Sequence, residues 1–411
     1  MKRIGCTSLF SLAILVLIRC GASQTEPVES KAARIHEKCF TLDSHVDTPM
    51  RVFRTPADLS VRHPHSEPGA GELDFPRMKE GGLDAAFFAA YVRQRECTDE
   101  GRQAARKRAE DLIDLVLDWK TQYPSLVELA DTPHGAERLR ATGKRIVFIG
   151  IENGYTIGTD LSLIGHFRDR GVRYITLCHV ENNDLCDSST DPDGAKWNGL
   201  SPFGRRVVAE MNRLGMLIDL SHASDSTFFQ VLRISGTPVI LSHSCCRNLM
   251  DSPRNLTDSM LVALKRNGGV IQINLCSFYL VKTESDTLRR AALDSIKKIY
   301  GDWRRISDPE RFKLYDTARQ AVDRRFPRHK ASVKDLADHI DHAVRVAGIR
   351  HVGIGSDFDG GAGLSDCVDV SQMGNITLEL VRRGYSKRDI ARIWGGNFMR
   401  VWREVLNEAK E

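Results

Sequence analysis

Short apolar runs alternate with longer amphipathic stretches along most of this chain. Runs with strand character are Phe40–Asp47, Ala85–Val92, Arg145–Glu152, Arg173–Val180, Met216–His222, Pro238–His243, Val270–Cys276 and His351–Asp359. Segments with helical spacing lie between most of them, among them Ala104–Thr121, Leu161–Asp169, Gly204–Leu214 and Thr257–Lys265. Strand faces repeat every two residues and helix faces every three to four, which separates the two kinds of segment. Strands alternating with helices predict a parallel sheet. Eight such strands in one chain predict an α/β fold, a (β/α)8 TIM barrel.

Two stretches exceed a minimal barrel. The loop Arg51–Pro76 is long and rich in Pro, Gly and His. Lys282–Pro327 is strongly charged with helical character, and predicts a helical insertion between strands seven and eight, about 282–327. Its simplest role is surface structure; covering the site or forming a dimer are the alternatives. Ser371–Lys410 predicts two or three helices that close the barrel. No internal repeat or clear linker divides the chain.

The first residues read "MKRIGCTSLFSLAILVLIRCGASQTEP". A basic start, an apolar stretch from Leu9 to Ile18 and then small residues predict a secretory signal over 1–23, leaving a barrel domain over 24–411. The apolar stretch is short for a spanning helix, and no other segment is long and apolar enough. The expectation is export, to a periplasm or outside the cell, into an oxidising compartment. Cys20 offers a lipid anchor instead, a reading that Arg19 in place of a small residue disfavours. The formal charge of +5 is modest, and Lys2, Arg3 and Arg19 of the leader supply much of it. That gives no case for a nucleic-acid partner. The cysteines contain no Cys-x-x-Cys pair, which leaves a zinc ribbon or thioredoxin-type site unsupported. Their pairing cannot be read from spacing.

The first strand carries the first chemical signal. In "CFTLDSHVDTPM", Phe40, Leu42 and Val46 alternate with Thr41, Asp43, His45 and Asp47, so the polar set is expected on one face. Buried unpaired charge is costly, so a metal or a satisfied hydrogen-bond network must compensate it. The same placement recurs at other strand ends: Glu152, His179, His222, His243, and Asp357 with Asp359. Barrel active sites form at this end, where several strands each contribute a residue. His36, His63, His65, His134, His166, His329, His339, His342 and His351 lack that placement and read as structural. Imidazole and carboxylate donors suit zinc. The donor count suggests two ions, with His45 and Asp47 on one, His222 and His243 on the other, and Glu152 between them.

The motifs "DSHVDTP", "IGIENGY", "YITLCHVENNDLCDSS", "LIDLSHAS", "PVILSHS", "RNLTD" and "HVGIGSDFDG" follow one another in order. At these residues the chain resembles the membrane dipeptidase (renal dipeptidase) family of zinc metallopeptidases, family M19, as a bacterial-type member. The resemblance runs from about Phe40 to Val405. It implies a zinc-dependent dipeptidase on a barrel of the metal-dependent hydrolase type, cleaving dipeptides by a metal-bound hydroxide. It implies His45 and Asp47 as ligands of one Zn2+, His222 and His243 of the other, and Glu152 as the bridge. It further implies that His179 contacts the substrate and polarises the intermediate, that Arg254 binds the substrate carboxylate, and that Asp357 shuttles the proton. A homodimer is also implied.

The chain departs from the family in places. Asn274 is followed by Leu275 and Cys276, where many members carry an aromatic after the Asn. The insertion is absent from the shorter mammalian members. The ending "REVLNEAKE" lacks the apolar tail that signals a lipid anchor in mammalian members. The competing readings are another metal-dependent amidohydrolase on the same barrel, such as a lactonase, β-lactam hydrolase, phosphotriesterase or deaminase, and a metal-binding protein without catalysis. Fold alone does not separate these. Glu152 stands where a phosphotriesterase would need a carboxylated lysine, and the set of Glu152, His179 and Asp357 speaks against lost catalysis.

Overall fold

The apolar runs pair in parallel in a computed structural model, which describes residues 26–409 apart from 66, 68, 69, 283, 304, 305, 307 and 328. The predicted signal over 1–23, with Cys20, lies outside the described residues. The strands are β1 (Leu42–Val46), β2 (Ala85–Tyr91), β3 (Val127–Leu129), β4 (Arg145–Glu152), β5 (Val172–Thr176), β6 (Leu217–Asp219), β7 (Ile240–Ser244), β8 (Val270–Ile273) and β9 (Val352–Ile354). Their order is β1-β2-β4-β5-β6-β7-β8-β9, with β3 paired to β4 off this path. Just past β9, Val46 and Phe358 form a bridge. There the Asp357 N–H donates to the His45 carbonyl at 3.0 Å and the Asp47 N–H to Phe358 at 2.8 Å. These bonds join the last strand's end to the first and make a nearly closed barrel, the predicted (β/α)8 class.

Alternation along the strands builds two cores. Ala85, Phe87, Ile146 and Phe148 face inward. Ala86, Phe88, Val147 and Ile149 face outward, packed in one cluster with Leu112, Ile113, Val116 and Trp119 of the helix Asp99–Gln122. The helix Asn397–Asn407 plugs the end of the barrel where the strands begin. The Phe87 ring lies 5.1 Å from Phe398 and 5.5 Å from Trp402, and Phe148 lies 5.1 Å from Trp402. Because Trp402 is fully buried here, Trp402→Ala is expected to cost roughly 3–5 kcal/mol, read by urea unfolding.

The first strand corrects a sequence expectation. Leu42 joins the inner core and Val46 the outer one, so they do not share a face. The pairing register of β1 shifts between Asp43 and Val46. Such an irregularity re-aims the side chains that follow it. His45 therefore enters the barrel, while Asp43 receives the N–H groups of His45 (3.1 Å) and Ser356 (2.8 Å). Asp47 has already left the strand, as N-cap of the helix Thr48–Arg54.

The predicted insertion is present between β8 and β9, with helices Glu284–Tyr300 and Pro309–Arg325. Beyond its first helix, Trp303 lies under the Arg93 guanidinium, 4.8 Å from the ring centre. Arg93 follows β2, so the insertion leaves the sheet beside β8 and reaches the end of β2. No described helix is long and apolar enough to cross a membrane. The eight described cysteines are free thiols, and all but Cys97 are buried.

Candidate metal centre

The strand ends deliver their polar residues to one cavity of about 230 Å³. Asp47, Glu152, His179, His222, His243, Arg254 and Asp357 line it. His45 lies fully buried beneath, against Glu152 and Asp47. Three groups of donor atoms converge within 4.8 Å: His45–Glu152–His243, Glu152–His179–His222 and His45–Asp47–Asp357. This division differs from the expected pairing: His243 groups with His45, and His179 and Asp357 each join a group.

Glu152 organises the cluster. Its Oε1 lies 3.0 Å from His222 Nε2, 3.5 Å from His243 Nε2 and 3.7 Å from His179 Nε2. Its Oε2 lies 3.7 Å from His45 Nε2, which is 3.9 Å from Asp47 Oδ2. One carboxylate thus turns each oxygen toward a different set of donors. His222 and His243 present their Nε2 atoms to each other at 2.9 Å.

Outer contacts aim these rings. His45 Nδ1 lies 2.8 Å from the Tyr174 hydroxyl, and His243 Nδ1 lies 2.9 Å from Ser242 Oγ. Ser242 in turn donates to Asp219 at 2.6 Å. The His45 and His243 rings are thus anchored through one nitrogen and offer the other inward, as metal-ligating histidines do, whereas Nδ1 of His179 and of His222 has no hydrogen-bond partner among the described residues. His222 (φ 70°), Asp357 (φ 67°) and Asn153 (φ 91°), which follows Glu152, occupy the left-handed region. Side chains pay for that backbone, and such strain collects at functional sites.

The electrostatics are those of acids packed without a counter-ion. Burial first, then the Asp47 charge, pushes Asp357 up to about 8. The same two causes raise Glu152. Burial holds His222 and His243 well below the usual imidazole range. Burial, then the Arg254 and His45 charges, lowers His179 to about 3. Burial also opposes protonation of His45, but Tyr174, Glu152 and Asp47 together drive it well up. His45 Nε2 and Asp47 Oδ1 are buried without a hydrogen-bond partner. Orphaned buried polar atoms cost about 1–3 kcal/mol each. A cation between them would satisfy both atoms and remove the carboxylates' reason to hold protons. The donor set fits a metal.

The geometry also separates look-alikes. Asp359 accepts from Thr48 Oγ1 (2.7 Å), Arg51 Nε (3.1 Å) and the Glu72 N–H (2.7 Å), so it ties down the loop after β1. Asp357 lines the cavity too, but there Cys276 Sγ lies 3.1 Å from its Oδ2. Arg247 is bound to Asp225 at 2.7 and 2.8 Å. Arg254 is buried, and among the described residues its guanidinium donates to Ser244 Oγ and the His243 carbonyl, both at 2.9 Å, leaving Nε unpartnered. Among the described residues it makes no ion pair. Sequence reasoning passed over Tyr174 and Asp219, which resemble ordinary core positions. It also passed over Met50, Arg54, Tyr91, Phe278 and Tyr279, which line the cavity.

Relatives carry this arrangement further. The sequence model of the membrane dipeptidase family (peptidase family M19) matches residues 29–411. The chain belongs to the membrane dipeptidase family. It is 31% identical to dipeptidase tcpJ of Claviceps purpurea over 89% of its own length and 77% of that protein. It is 32% identical to mouse dipeptidase 3 over 82% of its length, and there it spans only 58% of the relative. Among solved structures, the probable dipeptidase PvdM of Pseudomonas aeruginosa superposes with a TM-score of 0.80 at 33% identity, covering 93% of this chain and 99% of that one. A metallopeptidase of Rhodobacter sphaeroides, solved with a phosphinate mimic of L-Ala-D-Ala, shares the fold at TM-score 0.71 and 24% identity, over 89% of this chain and 99% of that one. Membership of this metallopeptidase family agrees with the metal-binding residue groups at the strand ends.

Proposed function

We propose that this protein is a dipeptidase with two zinc ions, held by His45 and Asp47 on one side, by His222 and His243 on the other, and by Glu152 between them. The observation that carries the reading is the split of Glu152, with one oxygen toward each donor set. Paired zinc supplies an acidified water and a Lewis acid for carbonyl attack. The remaining steps belong to the chain. Asp357 takes the proton from the attacking water and hands it to the departing amine, as general base and then general acid. His179, kept neutral by its surroundings, donates from its ring to the developing oxyanion. Arg254 holds the substrate's terminal carboxylate in a planar fork.

Arg254 supports a dipeptide over a longer peptide or a lactone. A buried guanidinium with no acid of its own calls for an anion from outside, and a terminal carboxylate one residue past the scissile bond supplies it. The test compares dipeptides with their C-terminal amides. Wild type should prefer the free acid by roughly 10²-fold in kcat/KM, the scale of a lost charged hydrogen-bond pair. Arg254→Ala should erase most of that ratio through KM. A ratio that survives the substitution would remove Arg254 as the anchor. A homodimer and export by a cleaved leader over 1–23 complete the proposal, on the family resemblance and the N-terminal sequence.

A further inference from the structure

Resting on the dipeptidase reading, we infer that the enzyme prefers dipeptides whose N-terminal residue carries a side-chain carboxylate, and that Arg54 receives it. Arg254 follows β7, and a substrate gripped there lays its scissile carbonyl against Glu152 and the surrounding histidines. Its N-terminal residue then runs to the wall built after β1 and β2, strands that do not adjoin β7. Met50, Arg54 and Tyr91 line that wall.

Arg54 and Arg51 sit one turn apart on the helix Thr48–Arg54 and contrast sharply. Arg51 is bound to Asp359 and the Leu73 carbonyl. Arg54 is exposed and, among the described residues, makes no hydrogen bond or ion pair. Its charge reaches into the cavity: Arg54 and Arg93 are the cations that oppose burial, Glu152 and Asp47 in setting the Tyr91 hydroxyl. No cavity acid is left to answer it. Asp47 and Glu152 belong to the proposed metal set, Asp357 to proton transfer, and Asp359 to Arg51 and Thr48. A substrate carboxylate is the remaining partner of the right charge, and a guanidinium pairs with it through two parallel hydrogen bonds.

The experiment measures kcat/KM for Glu-Ala, Gln-Ala and Ala-Ala with the zinc-loaded enzyme, its Arg54→Ala variant and its Arg54→Lys variant. Gln-Ala matches Glu-Ala in shape without the charge. Wild type should favour Glu-Ala over Gln-Ala by roughly three- to tenfold at low salt, with the ratio shrinking as salt rises. Arg54→Ala should bring the ratio close to one through KM, and Arg54→Lys should keep part of it. Equal turnover of Glu-Ala and Gln-Ala by wild type, or a ratio untouched by Arg54→Ala, overturns the inference and leaves the dipeptidase reading standing. No turnover of any of the three by zinc-loaded wild type defeats the dipeptidase reading, and the inference with it.

Discussion

Glu152→Ala is expected to lose the paired metal site and roughly 10³–10⁵-fold in turnover, about 4–7 kcal/mol of barrier. Glu152 is nearly fully buried, and its two oxygens face the two donor sets, Oε2 toward His45 and Oε1 toward His222. Without them His45 and Asp47 on one side, and His222 and His243 on the other, would each keep two donors, too few for a closed zinc shell. Metal analysis should show fewer than two ions per chain. The fold should persist, because the side chain is held by the site and not by the apolar core. Glu152→Gln, which keeps volume but not charge, should fall between the two. Full occupancy by two ions in Glu152→Ala would refute the bridging role.

Asp357→Asn is expected to keep its metal and lose roughly 10²–10⁴-fold in kcat, the usual range for a positioned acid–base group. The amide keeps the size of the carboxyl and can still accept from the Cys276 thiol. It cannot take a proton from water at neutral pH. KM should change less than kcat if, as proposed, Arg254 holds the substrate carboxylate. Near-normal turnover would return Asp357 to a structural role, such as the turn that joins β9 to the loop closing the barrel.

Much of the site was legible because a polar residue at the end of an apolar run is visible in one dimension. Glu152, His222 and His243 stand out this way; Glu152 and His243 lie in β4 and β7, while His222 sits in the turn three residues past β6. The alternation read from "CFTLDSHVDTPM" failed at Leu42, because a register shift inside β1 changes which residues share a face. Nothing in residue types announces that shift. The edge strand β3 is three residues long, too short to show a period. Tyr174 and Asp219 were missed for another reason. Both are buried and polar, and only the fold reveals that they aim the ligand-type rings. The choice between Asp357 and Asp359 likewise needed space, since Arg51 reaches Asp359 from the neighbouring helix. Arg254 was legible as an arginine near a strand end. Its lack of an acid partner among the described residues, on which the proposed carboxylate anchor rests, was not.

The central claim is a pair of zinc ions bridged by Glu152 that serves peptide hydrolysis. The most direct measurement adds zinc stepwise to chelator-stripped protein and follows the initial rate on a dipeptide. The account predicts no turnover without metal and a rate that climbs to a plateau at two zinc equivalents per chain. A plateau reached at one equivalent, or turnover that needs no metal, would contradict it.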